Sequence, residues 1–421
     1  MRQAFKRIPV YTGDVSGVCS ALFELGGMVV MHDPSGCNST YNTHDEIRWY
    51  DQDSLIFISG LNEMEAIMGS DEDLIRDITE SARIYSPKFI AIANSPIPYI
   101  TGMDFDAISR LIEEETGIPT FYISTNGMHD YTRGAGLAFL HLAERFVKAC
   151  PPDYVKNKKR CNILGFTPLD FASQESLKSL RAKISAAGLE ILSCWAMGDT
   201  LEQIEQSACA DVNLVVSSTG LRTAQYMHRE FGIPFVAGIP AECTEDHYFQ
   251  AVQEAVETGE NQFPFRNRSY PAAHADVVDP GCMPVCLIGE PVIMTSLAAS
   301  AELLTGAETH VFGATEDAHV FLGDEDAALS GEEELEEALR KIIGQVRIQD
   351  SSIEVPSSNS ETTHAAQEKR GEKVPDCVRV VADPYYRFVF PDGCGLIPLP
   401  HLAFSGRIFL NEIPDLIRFS W

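Results

Sequence analysis

The sequence predicts an α/β protein whose sheets are parallel. Three observations carry this. Short runs of continuous apolar residues recur along the chain, as expected of parallel strands buried on both faces. Stretches of helical length and pattern alternate with them. Three times an apolar run ends in glycine or small polar residues that lead into the next helix. Open α/β sheets bind ligands at that place, the carboxyl ends of their strands. We therefore expect three Rossmann-like domains around a central cleft, spanning residues 1–155, 156–275 and 276–421.

In the first unit, residues 26–31 (Gly-Gly-Met-Val-Val-Met) read as a short buried strand. Residues 89–94 form the next, ending before Pro96. Residues 104–115 read as a helix stopped by Gly117, 119–124 as a strand and 131–149 as an amphipathic helix. Pro151, Pro152 and the basic run 156–160 mark a boundary. The second unit alternates strand 161–166, helix 173–187, strand 190–193, helix 200–208, strand 213–217, helix 221–231 and strand 234–237. The third has strand 284–290, helix 291–304 ended by Gly306, and strand 308–313. The polar run at about 347–376 reads as a mobile surface insertion, after which 378–382 rejoins a core.

Composition narrows the function. The chain of 421 residues is 45% hydrophobic and 22% charged, ordinary for a soluble globular protein. Its formal net charge of -29 argues against nucleic acid and anionic membranes as partners. The basic N-terminus is not followed by an apolar stretch, and no run approaches the roughly 18 apolar residues of a membrane span. Eleven scattered cysteines without an export signal point to reduced thiols in the cytoplasm.

Two cysteines lie beside glycine. Cys19 follows Gly17-Val18, read as a turn, and Cys37 ends His32-Asp33-Pro34-Ser35-Gly36-Cys37. Cys37 falls just after a strand, in a small-residue turn that opens a helix, where backbone N–H groups favour a thiolate. Such thiolates suit iron–sulfur clusters. Simple packing is the competing reading for both. Cys282 and Cys286 form C-x₃-C, but Cys286 sits in an apolar strand. Cys161, Cys194 and Cys209 read as core, and Cys377 and Cys394 have no evident partner.

Three further groups stand out. Ser217-Ser218-Thr219-Gly220 ends a strand and opens a helix, so its N–H groups suit a carboxylate or phosphate in the cleft. Residues 126–129, ending in His129, are the other candidate substrate contact. His44, with acidic neighbours, could relay protons or belong to an interface hydrogen-bonding stretch. His32 orders the turn before Cys37.

These pieces together resemble the component 1 family of nitrogenase-like oxidoreductases. That family includes nitrogenase catalytic subunits, cofactor-assembly scaffolds and dark protochlorophyllide reductases. The resemblance rests on Gly17-Val18-Cys19, on residues 32–37, on the acidic–glycine segment 65–74, on 162–165 and 213–216, and on Ile288-Gly289-Glu290-Pro291. It implies a homodimer, or a heterodimer with a paralogous subunit, that takes electrons from an ATP-binding iron–sulfur reductase. Cys19 and Cys37 fall on cluster-ligand positions, and Ser95 occupies the third. Four thiolates from two subunits would then hold one [4Fe–4S] cluster at their interface. The cysteine that anchors the large cofactor of catalytic nitrogenases falls at Ser217 or Ser218, and His401 reads as a domain-interface residue. The chain has no G-x-x-x-x-G-K-[ST] loop, which leaves ATP on the partner. The implied function is a redox subunit reducing a substrate other than dinitrogen. A metal-cofactor assembly scaffold and a cluster-free structural or binding subunit are the alternatives.

Overall fold

The structure is a computed structural model. It describes residues 10–34, 46–69, 71–151, 153–154, 159–172, 174–268, 270, 283–329, 331–349, 376–419 and 421. Cys37, His44, Cys282 and nearly all of the expected insertion lie outside these residues.

Three parallel sheets form in succession. The first has strands β1 (Met28–His32), β2 (Leu55–Ile58), β3 (Ile90–Asn94) and β4 (Thr120–Ile123) in the order β2-β1-β3-β4. The second has β5 (Arg160–Leu164), β6 (Glu190–Cys194), β7 (Val212–Val215) and β8 (Phe235–Ala237) in the order β6-β5-β7-β8. The third has β9 (Val285–Gly289), β10 (Thr309–Gly313), β11 (Ala327–Ala328), β12 (Val378–Ala382) and β13 (Cys394–Pro398) in the order β11-β10-β9-β12-β13. Every strand pair is parallel. Each sheet therefore has a point where the connections reverse direction: β1/β3, β5/β7 and β9/β12.

The helices of the first unit are α1 (Asp14–Leu22), α2 (Glu63–Met68), α3 (Asp71–Tyr85), α4 (Pro96–Thr101), α5 (Phe105–Thr116) and α6 (Tyr131–Phe146). The second contributes α7 (Pro168–Phe171), α8 (Gln174–Ala186), α9 (Leu201–Glu205), α10 (Leu221–Phe231) and α11 (Glu245–Thr258). The third contributes α12 (Pro291–Thr305), α13 (Glu332–Gln349) and α14 (Leu402–Ser405). Gly117 and Gly306 end α5 and α12 in the left-handed conformation, as Cβ-free residues do at no steric cost. Asp104 caps α5 through the Ala107 N–H.

Three local expectations need correction. Gly17-Val18-Cys19 is not a turn but part of helix α1. The helix expected at 131–149 ends at Phe146, where Val147 turns to extended backbone. Cys209 is not simple core packing: it is disulfide-bonded to Cys150, with Cα atoms 5.3 Å apart. The segment after α6 folds back over the second unit, where Lys148 N–H donates to the Glu205 carbonyl.

The units share their cores. α1 and α6 pack in one apolar cluster with Leu164, Leu221 and Met227 of the second unit, and Leu214 and Phe265 join Leu297 and Val381 in another. Buried Arg48 adds a polar bridge: it pairs with Glu46 and Glu24 and donates to the carbonyls of Ser20 and Ala196. Two glycines let α1 and α6 touch. A Cβ on Gly17 would lie 2.2 Å from the Tyr131 carbonyl oxygen, and one on Gly134 would lie 1.8 Å from that of Asp14. Helix propensity alone makes Gly134→Ala stabilising by about 1 kcal/mol. The backbone clash reverses the sign, and we expect a loss of about 3 kcal/mol, read as a lower urea midpoint.

Candidate functional site

The carboxyl ends of the strands converge where the three units meet, and there the chain brings together its own polar side chains. Asp170 lies in α7 after β5, Ser217 follows β7, Glu290 follows β9, Tyr131 opens α6 after β4, and His401 follows β13. All five are buried. The Tyr131 hydroxyl donates to Asp170 Oδ1. Asp170 Oδ2 accepts from Ser217 Oγ at 2.7 Å and from Thr167 Oγ1 at 3.1 Å. His401 Nε2 stands 3.5 Å from Asp170 Oδ1, and its ring stacks on Phe404 with centroids 4.3 Å apart. Asp383 holds the turn before α14 by accepting from the His401 N–H and the Ser405 hydroxyl.

Glu290 is the second buried carboxylate. It caps α12, accepting from the Ile293 N–H at 2.9 Å and from the Ser218 N–H at 2.8 Å. Burial raises its pKa, the nearby Asp170 charge raises it further, and the two backbone donors offset only part of this. The Tyr131 hydroxyl is also held well above its ordinary value by burial and by Asp170 and Glu290.

At the first sheet the reversal point is different. His32 and Asn94 are register partners at the ends of β1 and β3, and the Ser95 N–H donates to the His32 carbonyl. Asn94 Oδ1 accepts from Tyr122, yet among the described residues Asn94 Nδ2 and Ser95 Oγ are buried without a hydrogen-bond partner. The next described residues after His32 are Asp33 and Pro34, which lead toward Cys37. Beside this point α2 and α4 expose Met64, Ile67, Met68, Ile97, Tyr99 and Ile100, with Met68 76% and Ile100 78% exposed. No residue of α2 is buried.

The predicted site residues divide accordingly. Cys19 is fully buried in α1, in the apolar cluster with Val18, Leu22 and Ala135. Burial, with Glu46 nearby, pushes its thiol well above the ordinary range. In this chain the Cys19 side chain packs among apolar neighbours. Ser95 lies at the strand end where it was expected. Ser217, Ser218, Thr219 and Gly220 do form a donor-rich loop, but the Ser218 N–H and the Ser217 hydroxyl are taken by the chain's own carboxylates. His129 meets Glu316 at 2.9 Å instead of open space, while Asp130 accepts from the Glu316 N–H. Asp14 pins the preceding loop through the N–H groups of Asn126 and Gly127. Cys286 is buried within β9. Asp170 and Glu290 were missed. Glu290 stands between an apolar strand and Pro291, and Asp170 lies in the short helix opened by Pro168 after the strand ending at Leu164; that was the signal available.

The fold and its strand-end site define an open, all-parallel α/β protein of three Rossmann-like domains. The chain belongs to the nitrogenase component 1 type oxidoreductases, matching that family over residues 16–383. It is 23% identical over 190 residues to the nitrogenase iron-molybdenum cofactor biosynthesis protein NifE of Methanosarcina barkeri, covering 43% of this chain and 40% of that one. It is 26% identical over 158 residues to a subunit of the light-independent protochlorophyllide reductase of Prosthecochloris aestuarii, covering 37% and 29%. It is 24% identical over 224 residues to the nitrogenase molybdenum-iron protein alpha chain of Azospirillum brasilense, covering 49% and 45%. Each match spans less than half of the relative's length. A solved structure titled "Nitrogenase Cp1 at pH 5" shares the fold, with a TM-score of 0.53 and 16% identity over 77% of this chain and 68% of that one.

A raised carboxyl pKa in the native state means the folded chain holds a proton that the unfolded chain releases. The stability from Glu290 is therefore present below the unfolded value near 4.5 and is lost as pH rises through the higher native value. Glu290→Gln loses an acceptor for one N–H, at about 1 kcal/mol, but flattens the decline. Chemical denaturation from pH 4 to 9 checks this: an unchanged slope in the variant contradicts a protonated Glu290.

Proposed function

We propose that this chain is the redox subunit of a nitrogenase component 1-like complex, reducing a substrate other than dinitrogen. An iron–sulfur cluster would sit at the carboxyl edge of the first sheet, shared with a second copy or a paralogous subunit. The observation that carries this reading is the pair of buried, unpartnered polar atoms there, Asn94 Nδ2 and Ser95 Oγ, at a sheet reversal point where α/β proteins take ligands. Cys37 would provide the thiolate and Ser95 a neighbouring oxygen. Asn94 Nδ2 would donate a hydrogen bond toward a cluster sulfur. A [4Fe–4S] cluster bound there supplies one-electron storage. Cys19 does not fit, because its thiol is enclosed in apolar side chains.

A large cofactor at the meeting point of the three units does not fit either. The position that would anchor it holds Ser217, whose hydroxyl is committed to Asp170. Substrate chemistry is therefore assigned to the shared edge. Electrons would arrive from an ATP-hydrolysing iron–sulfur partner docking on the exposed apolar face of α2 and α4, a face of the kind that marks interaction sites. The cofactor-assembly reading keeps one specific support, the similarity to NifE. ATP-dependent electron uptake with turnover separates the two.

Iron content and electron paramagnetic resonance after anaerobic purification test the cluster. We expect Cys37→Ala to lose most of the iron and the signal, and Cys19→Ala to keep both while losing about 1–2 kcal/mol of stability. An unchanged signal in Cys37→Ala overturns the assignment. For docking, Ile67→Asp with Met68→Asp should slow electron uptake from the partner at least ~10-fold, equivalent to about 1.4 kcal/mol, without changing iron content. Equal uptake rates would remove this face from the docking surface.

A further inference from the structure

Helix α6 is tied to the second unit at both ends. At its start the Tyr131 hydroxyl donates to Asp170. The helix runs for 16 residues, about 24 Å along its axis, and the chain then leaves it as an irregular strap. Pro151 disfavours helical backbone at Cys150 before it, and residues 147–151 carry neither helix nor strand. The strap lies against the second unit. The Lys148 N–H donates to the Glu205 carbonyl at 2.9 Å, and Lys148 Nζ pairs with the Glu205 carboxylate at 2.5 Å. Two residues on, Cys150 is bonded to Cys209.

The two cysteines stand in unlike settings. Cys209 ends the short turn Ser207–Cys209, which the second unit holds firmly. Asn162 Nδ2 donates to the Ser207 carbonyl at 2.9 Å, and the Trp195 indole N–H donates to the Ser207 hydroxyl at 3.2 Å. Ser207 and Ala208 are buried, and Cys209 is 9% exposed. Cys150, on the strap, is partly exposed. An incoming thiolate therefore reaches Cys150 Sγ more readily, with Cys209 as the leaving group. Seven other described cysteines are not disulfide-bonded, exposed Cys243 among them, so the bond is not one of a dense structural framework. A disulfide with one sulfur on an accessible strap is of the kind that exchanges with thiols in solution.

We propose that Cys150 and Cys209 form a reversible thiol–disulfide exchange site whose closed form pins the C-terminal end of α6 to the second unit. A dithiol opens it. One thiolate of the dithiol attacks Cys150 Sγ, forming a mixed disulfide and breaking the bond to Cys209, which leaves as a thiolate and takes up a proton. The second thiol of the reagent then displaces Cys150, which leaves as a thiol, and the reagent becomes a disulfide. Two electrons and two protons pass from the dithiol to the protein. On closing, glutathione disulfide accepts them and becomes two molecules of glutathione. In the open form the strap keeps its Lys148 contacts but loses its covalent tie, while Tyr131 still holds the other end of α6. The proposal is independent of the cluster reading, and its test measures neither iron nor activity.

Thiol alkylation read by peptide mass spectrometry, with hydrogen exchange on the same samples, decides it. In the native full chain treated with glutathione disulfide, Cys150 and Cys209 should resist alkylation while Cys243 reacts. Dithiothreitol, added without denaturant, should make both reactive. Its removal and a second addition of glutathione disulfide should protect both again. Opening should speed exchange of the amides of residues 147–151 at least ~10-fold, as expected of a segment released to open locally, and should change 131–140 far less. Cys150→Ser, a substitution at the partly exposed position, should show the faster exchange with or without dithiothreitol. A bond that dithiothreitol opens only in denaturant, a pair that stays reactive in glutathione disulfide, or equal exchange of 147–151 in the open and closed forms overturns the proposal.

Discussion

The architecture depends on the shared acceptance of hydrogen bonds by Asp170 at the junction of the three units. Taking a carboxylate out of water costs several kcal/mol unless donors replace the lost hydration. Here Tyr131 comes from the first unit, and Thr167 and Ser217 come from the second. Glu290 of the third unit is held in turn by the Ser218 N–H of the second. None of the units could satisfy this cluster alone. Docking of the units and burial of the two carboxyl groups are thus one event, and the apolar clusters that cross the same boundaries supply its driving force.

That constraint divides the chemistry of the molecule. All three sheets reverse at equivalent points, and all three points are suited to ligands. In the second and third sheets the donors are turned inward onto Asp170 and Glu290. In the first, among the described residues, Asn94 and Ser95 keep buried groups without hydrogen-bond partners at the edge beside α2 and α4. A buried donor left unmatched costs about 1–3 kcal/mol, and at the centre the His401 ring and the Ser218 hydroxyl are likewise buried without a hydrogen-bond partner among the described residues. The centre ties the three units together, and the first sheet's edge is where we propose that the cluster sits.

Much of this was legible in the sequence, for reasons that also explain the failures. β1, β3, β5, β7 and β9 were readable because burial on both faces leaves unbroken apolar runs. β2 and β13 are only partly buried, so their patterns fade into the surrounding polar residues. Gly17 was read as a turn residue, but it is there to admit the α6 backbone. Sequence does not distinguish a glycine needed for positive φ from one needed for close approach, and the turn expected at 17–19 fell with it. The 217–220 loop was read correctly as a set of donors. Its occupant was not, because Glu290 lies 72 residues away and only the folded chain brings it near. The Cys150–Cys209 bond, with a separation of 59 residues, was hidden for the same reason.

The charge distribution bears on how such an edge would be used. The exposed apolar residues of α2 and α4 are rimmed by Glu63, Glu65, Asp71 and Glu72, on a chain of net charge -29. Desolvating so acidic a rim against a neutral or acidic surface is unfavourable, whereas a partner carrying lysine or arginine around an apolar patch gains from both terms. Attraction of that kind acts over about a Debye length, ~8–10 Å at physiological salt. It raises the rate of encounter more than the lifetime of the complex. A face built this way favours repeated brief docking over permanent assembly, which is the regime that one-at-a-time electron delivery requires.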